Sequence, residues 1–328
     1  MKILVIFTGG TIGSSTVGEY TSPDQKNNYV LLENYYKKYG KETALPDCCP
    51  FTMLSENLSY KELNKLIETV AENLNKDYDG IIITHGTDSL QYTASALAYC
   101  FPAAKIPVVL VSSRYPLSHP GQNGDENFAS AVAFIKSRQN GGVYISYRNE
   151  GDAATHIHYG TRAFSHLEIT DSVYSISGQF YATVTDGKVT LNSRYKTCEK
   201  AMQNTCYEFA GDSSVLVVSS VPGDSYSYSL EGKKAVLLRP YHSGTVNTAS
   251  DDFRAFCLRA KEKGIPVFIP RADIETAYAS TELFNELSIR YLPCMTFVSA
   301  YVKLWIAVSS CYDIAEFMYK PLSDEFII

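Results

Sequence analysis

The sequence predicts an α/β protein of two domains built on parallel sheets. Short apolar runs rich in β-branched residues alternate with longer amphipathic stretches, and this rhythm lapses once near the middle before resuming. Length agrees: 328 residues exceed the ~100–200 of an ordinary domain.

The apolar runs fall at 3–7, 80–84, 107–112, 142–147, 214–219, 234–238 and 266–269. Helical spacing marks 60–74, 89–100, 127–138, 251–263 and 297–308. Continuously apolar strands separated by helices describe a sheet covered on both faces. Asp79-Gly80 and Gly264-Ile265-Pro266 are expected to end a helix through glycine and launch a strand. Between about 150 and 212 the rhythm weakens, and 187–210 is polar and without pattern. The expected division is a first domain over 1–188, a linker over 189–211 and a second domain over 212–328.

Composition excludes several classes. A net charge of −6 and the lack of a dense Lys/Arg run argue against nucleic acid or an anionic membrane as partner. No apolar stretch approaches the ~20 residues of a membrane helix. The basic, apolar start, Met1 to Phe7, is cut short by Thr8-Gly9-Gly10 and reads as a buried strand, not a secretory signal. The eight cysteines form no CxxC pair and are expected to be reduced, partly buried small hydrophobes. Twenty-five tyrosines are a compositional bias without a functional reading.

In open α/β sheets, ligands sit beyond the carboxyl ends of the parallel strands. That singles out 8–20, 55–58, 84–89 and 112–125. Thr8-Gly9-Gly10-Thr11-Ile12-Gly13 follows the first strand, and its glycines let backbone approach a ligand and offer N–H groups to an anion. A dinucleotide site wants G-x-G-x-x-G opening a helix. Here G-G-x-x-G runs into a long polar loop, so a nicotinamide cofactor is not expected. Thr84-His85-Gly86-Thr87-Asp88-Ser89 offers a hydroxyl nucleophile in Thr87, a carboxylate for an ammonium in Asp88 and a helix cap in Ser89. Ser55-Glu56-Asn57 reads either as a helix N-cap or as a receptor for the charged end of an amino acid. Each cluster alone can be capping, but two Thr-Gly loops at two strand ends of one domain point to a site. No G-x-S-x-G elbow is present. The six histidines form no HExxH pair, and His156 and His158 alternate too weakly for zinc, so no metal is expected.

Thr8-Gly9-Gly10-Thr11-Ile12 together with His85-Gly86-Thr87-Asp88-Ser89 resembles the two signatures of bacterial-type L-asparaginases. The likeness continues through Ser55-Glu56-Asn57, 107–114 with Pro116, 123–127 and 159–171, and more loosely through 239–247 and 296–305. It implies a flavodoxin-like N-terminal domain, a smaller C-terminal α/β domain, and homodimers or homotetramers with sites at subunit contacts. The absence of a leader resembles the cytoplasmic branch. Carried over, Thr11 is the nucleophile and Thr87 the second threonine. Asp88 receives the α-ammonium and Ser55 the α-carboxylate. Glu56 falls where the family has Gln or Glu, and Tyr20 matches the flap tyrosine. Gly10 and Gly86 line the substrate. The family lysine of an R-x-x-x-K stretch meets His166 in Arg162-Ala163-Phe164-Ser165-His166, or Ser165 if the alignment slips by one. A neutral imidazole can still accept a proton, so His166 can replace the lysine in the relay. Asn123-Gly124-Asp125 stands where the family has Asp-Gly-Pro.

The expected activity is hydrolysis of L-asparagine to L-aspartate and ammonia through a threonyl acyl-enzyme, with no cofactor and a small amino acid as the partner. A glutaminase or another amino-acid amidase is the alternative, and a non-catalytic aspartate- or asparagine-binding protein a further one.

Overall fold

The computed structural model describes residues 1–17, 20–23, 25–138, 140–164, 169–211, 214–271, 278–310 and 312–327. Five parallel strands make up one side of the first sheet: β1 (Ile3–Phe7), β4 (Asp47–Cys48), β5 (Gly80–Thr84), β6 (Pro107–Val111) and β7 (Gly142–Tyr147). They stand in the order β4-β1-β5-β6-β7. That is the flavodoxin-like order, in which the second strand lies outside the first and the third lies on its other side. The strand order therefore reverses between β1 and β5, which run in register from Ile3 opposite Gly80 to Phe7 opposite Thr84.

The strands are apolar on both faces because both faces are covered. Leu4, Ile6, Ile81, Ile83, Val108 and Leu110 meet α2 (Tyr60–Leu74), α3 (Leu90–Cys100) and α7 (Phe297–Ser309). Ile3, Val5, Phe7, Ile82, Val109 and Val111 meet α1 (Gln25–Tyr39) and α4 (Gly124–Lys136). Ser59 and Glu62 close a capping box at the start of α2, so the cap is Ser59 and not the triplet at Ser55.

Three antiparallel strands extend the sheet: β8 (Thr155–Tyr159), β9 (Ala182–Thr185) and β10 (Lys188–Leu191). The sequence splits the last of these between first domain and linker, yet Lys188–Leu191 is the edge strand opposite β4. The polar stretch after Gly13 is a hairpin of β2 (Ser14–Val17) and β3 (Tyr20–Pro23), where a loop is expected. Helix α1 carries no strong apolar stripe in its sequence; among its described side chains Asn28, Leu31, Leu32 and Tyr35 are buried.

The second sheet is all parallel, in the order of β11 (Val215–Ser219), β12 (Ala235–Arg239), β13 (Val267–Arg271) and β14 (Ile289–Cys294). Helices α5 (Asp251–Glu262) and α6 (Leu283–Glu286) cover one face, and α7 with α8 (Ile314–Tyr319) the other. Gly264, at φ 67°, ends α5 as its sequence predicts. Gly80 does not cap a helix: α2 stops at Leu74, and Gly80 opens β5, where a Cβ would meet Ile135 at 2.7 Å. The two halves are joined through α7, whose Ser299 Oγ lies 2.6 Å from the Tyr99 hydroxyl of α3. Among the described residues no helix is long and apolar enough to cross a membrane.

Candidate active site

The reversal point between β1 and β5 is held together at its carboxyl end by Thr8, whose hydroxyl donates to the Thr84 carbonyl at 2.6 Å. Gly9 and Gly10 follow at φ 98° and 77°, a backbone region that side chains rarely adopt. The Gly10 N–H donates to the Met53 carbonyl at 3.0 Å, and the Met53 N–H to Thr8 at 3.0 Å. The Gly10 N–H is thus not a free donor for an anion, contrary to the sequence expectation. Its lack of a side chain is what counts: a Cβ there would lie 2.2 Å from the Gly86 nitrogen. Thr11 then opens a 3-10 turn, Thr11–Gly13.

From β5 the chain reaches His85, which is fully buried. Its Nδ1 lies 2.8 Å from the Gly86 carbonyl oxygen and its Nε2 2.9 Å from the Thr93 hydroxyl. A carbonyl only accepts, so Nδ1 carries the proton and Nε2 accepts from Thr93. Burial pushes the His85 pKa down to about 4, so the ring is neutral near pH 7. His85 thereby fixes the loop that presents Thr87.

Ser55 enters from the 3-10 turn Ser55–Asn57 and seats against Gly86, where a Cβ would stand 2.4 Å from its Oγ. Ser55 is 3% exposed. Its Oγ accepts the Asp88 N–H at 3.2 Å and donates to Asp88 Oδ2 at 3.2 Å. Ser89 occupies the N-cap position of α3, yet its side chain makes no cap bond. Its hydroxyl donates instead to the Ser55 carbonyl at 2.6 Å.

Thr11, Ser55, Thr87 and Asp88 therefore sit on three loops that touch. Thr11 and Thr87 are half-buried, and among the described residues neither hydroxyl has a hydrogen-bond partner. Asp88 and Glu56 are exposed on the single chain. Tyr20 lies in the β2–β3 hairpin and is 80% exposed. His166 and Ser165 lie outside the described residues. Arg162 of the same stretch is buried, paired with Asp324 at 2.8 Å. Sequence reasoning missed the parts played by Thr8, Met53 and Ser89, since each acts through bonds to distant backbone. Asn123 is also a brace: its Oδ1 accepts the Arg114 N–H at 2.9 Å and its Nδ2 donates to the Arg148 carbonyl at 2.8 Å.

Among the described residues no group of three His, Cys, Asp or Glu side chains could hold a metal ion. His156 pairs with Asp152 at 3.2 Å, and His158 Nδ1 lies 2.7 Å from the Ser175 hydroxyl. Two hydroxyls without partners among the described residues, beside a serine–carboxylate pair, suit a covalent attack on a carbonyl whose substrate also carries an ammonium.

Residues 2–196 match the family model described as asparaginase, N-terminal. A glutamyl-tRNA(Gln) amidotransferase subunit from Methanobrevibacter smithii is 26% identical over 99% of this chain and 77% of its own length. The L-asparaginase of Thermococcus kodakarensis is 31% identical over 53% of each chain. The solved structure of the thermostable L-asparaginase from Thermococcus kodakarensis superposes with a TM-score of 0.84 at 22% identity, covering all of both chains. That of L-asparaginase I from Vibrio cholerae gives 0.80 at 20% identity, over 100% of this chain and 99% of the other.

Proposed function

The chain belongs to the asparaginase family, and from that premise we propose that it is an L-asparaginase, releasing ammonia from the side-chain amide of L-asparagine. It is an enzyme of the amidohydrolase type. The observation that carries the finer reading is the contact of Gly10 with Gly86, which brings the loops of Thr11 and Thr87 to one place beside Ser55 and Asp88.

A primary amide is a poor electrophile and a threonine hydroxyl a poor nucleophile at neutral pH, so both need help. In this reading Thr11 Oγ bonds to the side-chain carbonyl carbon as its proton passes to a base. Tyr20 of the flap assists, or the Thr87–His166–Asp88 group does. Backbone N–H groups, Thr87's among them, hold the oxyanion; such donors are worth ~3 kcal/mol each. The C–N bond breaks, ammonia leaves with a proton, and water hydrolyses the Thr11 ester to aspartate. Asp88 with Glu56 receives the ammonium and Ser55 the carboxylate, while the backbone of Gly10 and Gly86 lines the substrate. The reaction calls for no cofactor.

The exposure of Asp88 and Glu56 on the single chain supports a site completed in a homodimer or homotetramer. A cytoplasmic setting belongs to the same proposal. Another amide, such as a glutamine side chain, is the second reading, since two relatives that align over 99% of this chain are glutamyl-tRNA(Gln) amidotransferase subunits and not asparaginases. Ammonia release from asparagine, glutamine and other amino-acid amides tests both. Turnover of asparagine above all others is the expected result; a folded protein that releases ammonia from none of them refutes the proposal.

A further inference from the structure

We propose that Ser89 is a positioning residue: by holding the Ser55 carbonyl it sets the spacing between the Ser55 hydroxyl and the Asp88 carboxylate. This rests on the reading above, in which those two groups receive the carboxylate and ammonium of one amino acid.

Ser89 stands where a serine ordinarily accepts a backbone N–H of its own helix, an arrangement worth ~1 kcal/mol. Its side chain forgoes that cap. It makes a 2.6 Å bond to a residue 34 positions away instead. Ser55 belongs to a turn of three residues outside the sheet. Its carbonyl accepts the Leu58 N–H at 3.2 Å and the shorter bond from Ser89. Both contacts between the Ser55 hydroxyl and Asp88 are long, at 3.2 Å. Such bonds weaken quickly when geometry drifts. Ser55 is also seated so close to Gly86 that a Cβ there would be 2.6 Å from its own Cβ. The Ser89 hydroxyl, bonded to the Ser55 carbonyl, therefore opposes a drift of Ser55 away from Asp88.

Ser89→Ala should raise KM for asparagine three- to tenfold with kcat within twofold, since the lost interaction serves ground state and transition state alike. Ser89→Thr, which keeps the hydroxyl, should restore KM. A crystal structure of Ser89→Ala should show Ser55 Oγ beyond about 3.5 Å from Asp88. If the wild-type enzyme is active and Ser89→Ala leaves KM unchanged, the positioning role is overturned while the activity stands. If the wild type releases no ammonia, the activity fails instead. The crystal structure then decides for Ser89: an intact Ser55–Asp88 pair overturns the proposal, and an opened one supports it.

Discussion

Gly10 and Gly86 face each other so closely that a Cβ on Gly86 would lie 3.3 Å from the Gly10 α-carbon, and one on Gly10 2.2 Å from the Gly86 nitrogen. The first glycine also holds φ 77°. Gly10→Ala therefore meets both a clash and backbone strain, while Gly86→Ala meets a clash alone, chiefly with Ser55. Gly10→Ala should lower the melting temperature and abolish turnover. Gly86→Ala should displace Ser55 and raise KM before it lowers stability. Thermal melts beside steady-state kinetics check the contrast, and equal effects of the two substitutions would count against it.

The hydroxyls of Thr11 and Thr87 make no hydrogen bond among the described residues, so their loss leaves no group stranded. Thr11→Ala and Thr87→Ala should each change stability by no more than about 0.5 kcal/mol, the scale of substitutions away from special features. Ammonia release should fall by at least about a thousandfold in each, the loss known for removal of a nucleophile or its relay. Calorimetry and a coupled ammonia assay test the separation. Near-normal turnover in either variant would remove that threonine from the chemistry.

Strands β1, β5, β6, β7, β11, β12 and β13 were legible because burial on two faces leaves a continuous apolar run, as in Gly80–Thr84, and Tyr60–Leu74 because its apolar stripe is strong; β4, β8, β10 and β14 carry no such run and were not. The β2–β3 hairpin and α1 were not, because Ser14–Val17 is too polar and short to signal a strand and the apolar side chains that α1 buries among those described are only Leu31, Leu32 and Tyr35. The residue types of the site could be read from two glycine loops. Their wiring could not: the Ser89–Ser55 bond and the Arg162–Asp324 pair join positions far apart in the chain, and no local pattern records them.

Burial holds His85 at a pKa of about 4 and His158 at about 3, against an ordinary value of 6.5. Both rings stay neutral in the folded protein while the unfolded chain takes up protons below 6.5. The stability they contribute is thus complete above pH 6.5 and is lost as pH falls towards 4 for His85 and towards 3 for His158. For His85 the shift corresponds to about 3 kcal/mol. Melting temperature should decline over that window, and His158→Asn should make the decline shallower. An identical slope in the variant would show that His158 does not carry this linkage.

Arg162 and Asp324 are both fully buried, and the guanidinium satisfies several partners at once. Its Nη2 meets Asp324 Oδ1 at 2.8 Å and the Lys196 carbonyl at 2.7 Å, Nη1 meets Gln179 Oε1 at 2.9 Å, and Nε meets the Asp324 carbonyl at 2.8 Å. Asp324 also accepts from the Tyr195 hydroxyl and the Cys198 N–H. One side chain thus ties the turn after β8 to the C-terminal tail and to the segment after β10. Removing one member of a buried pair strands the other and costs about 3–5 kcal/mol. Arg162→Met should therefore lower the melting temperature by roughly 10 °C. Arg162→Lys should fall between, because a single ammonium cannot reproduce the planar fork. The double variant Arg162→Met with Asp324→Leu should recover part of the loss, since it removes the stranded carboxylate. If the double variant is as unstable as the sum of the two single ones, the charge pair is not what holds the tail, and packing around Tyr195 must carry that role instead.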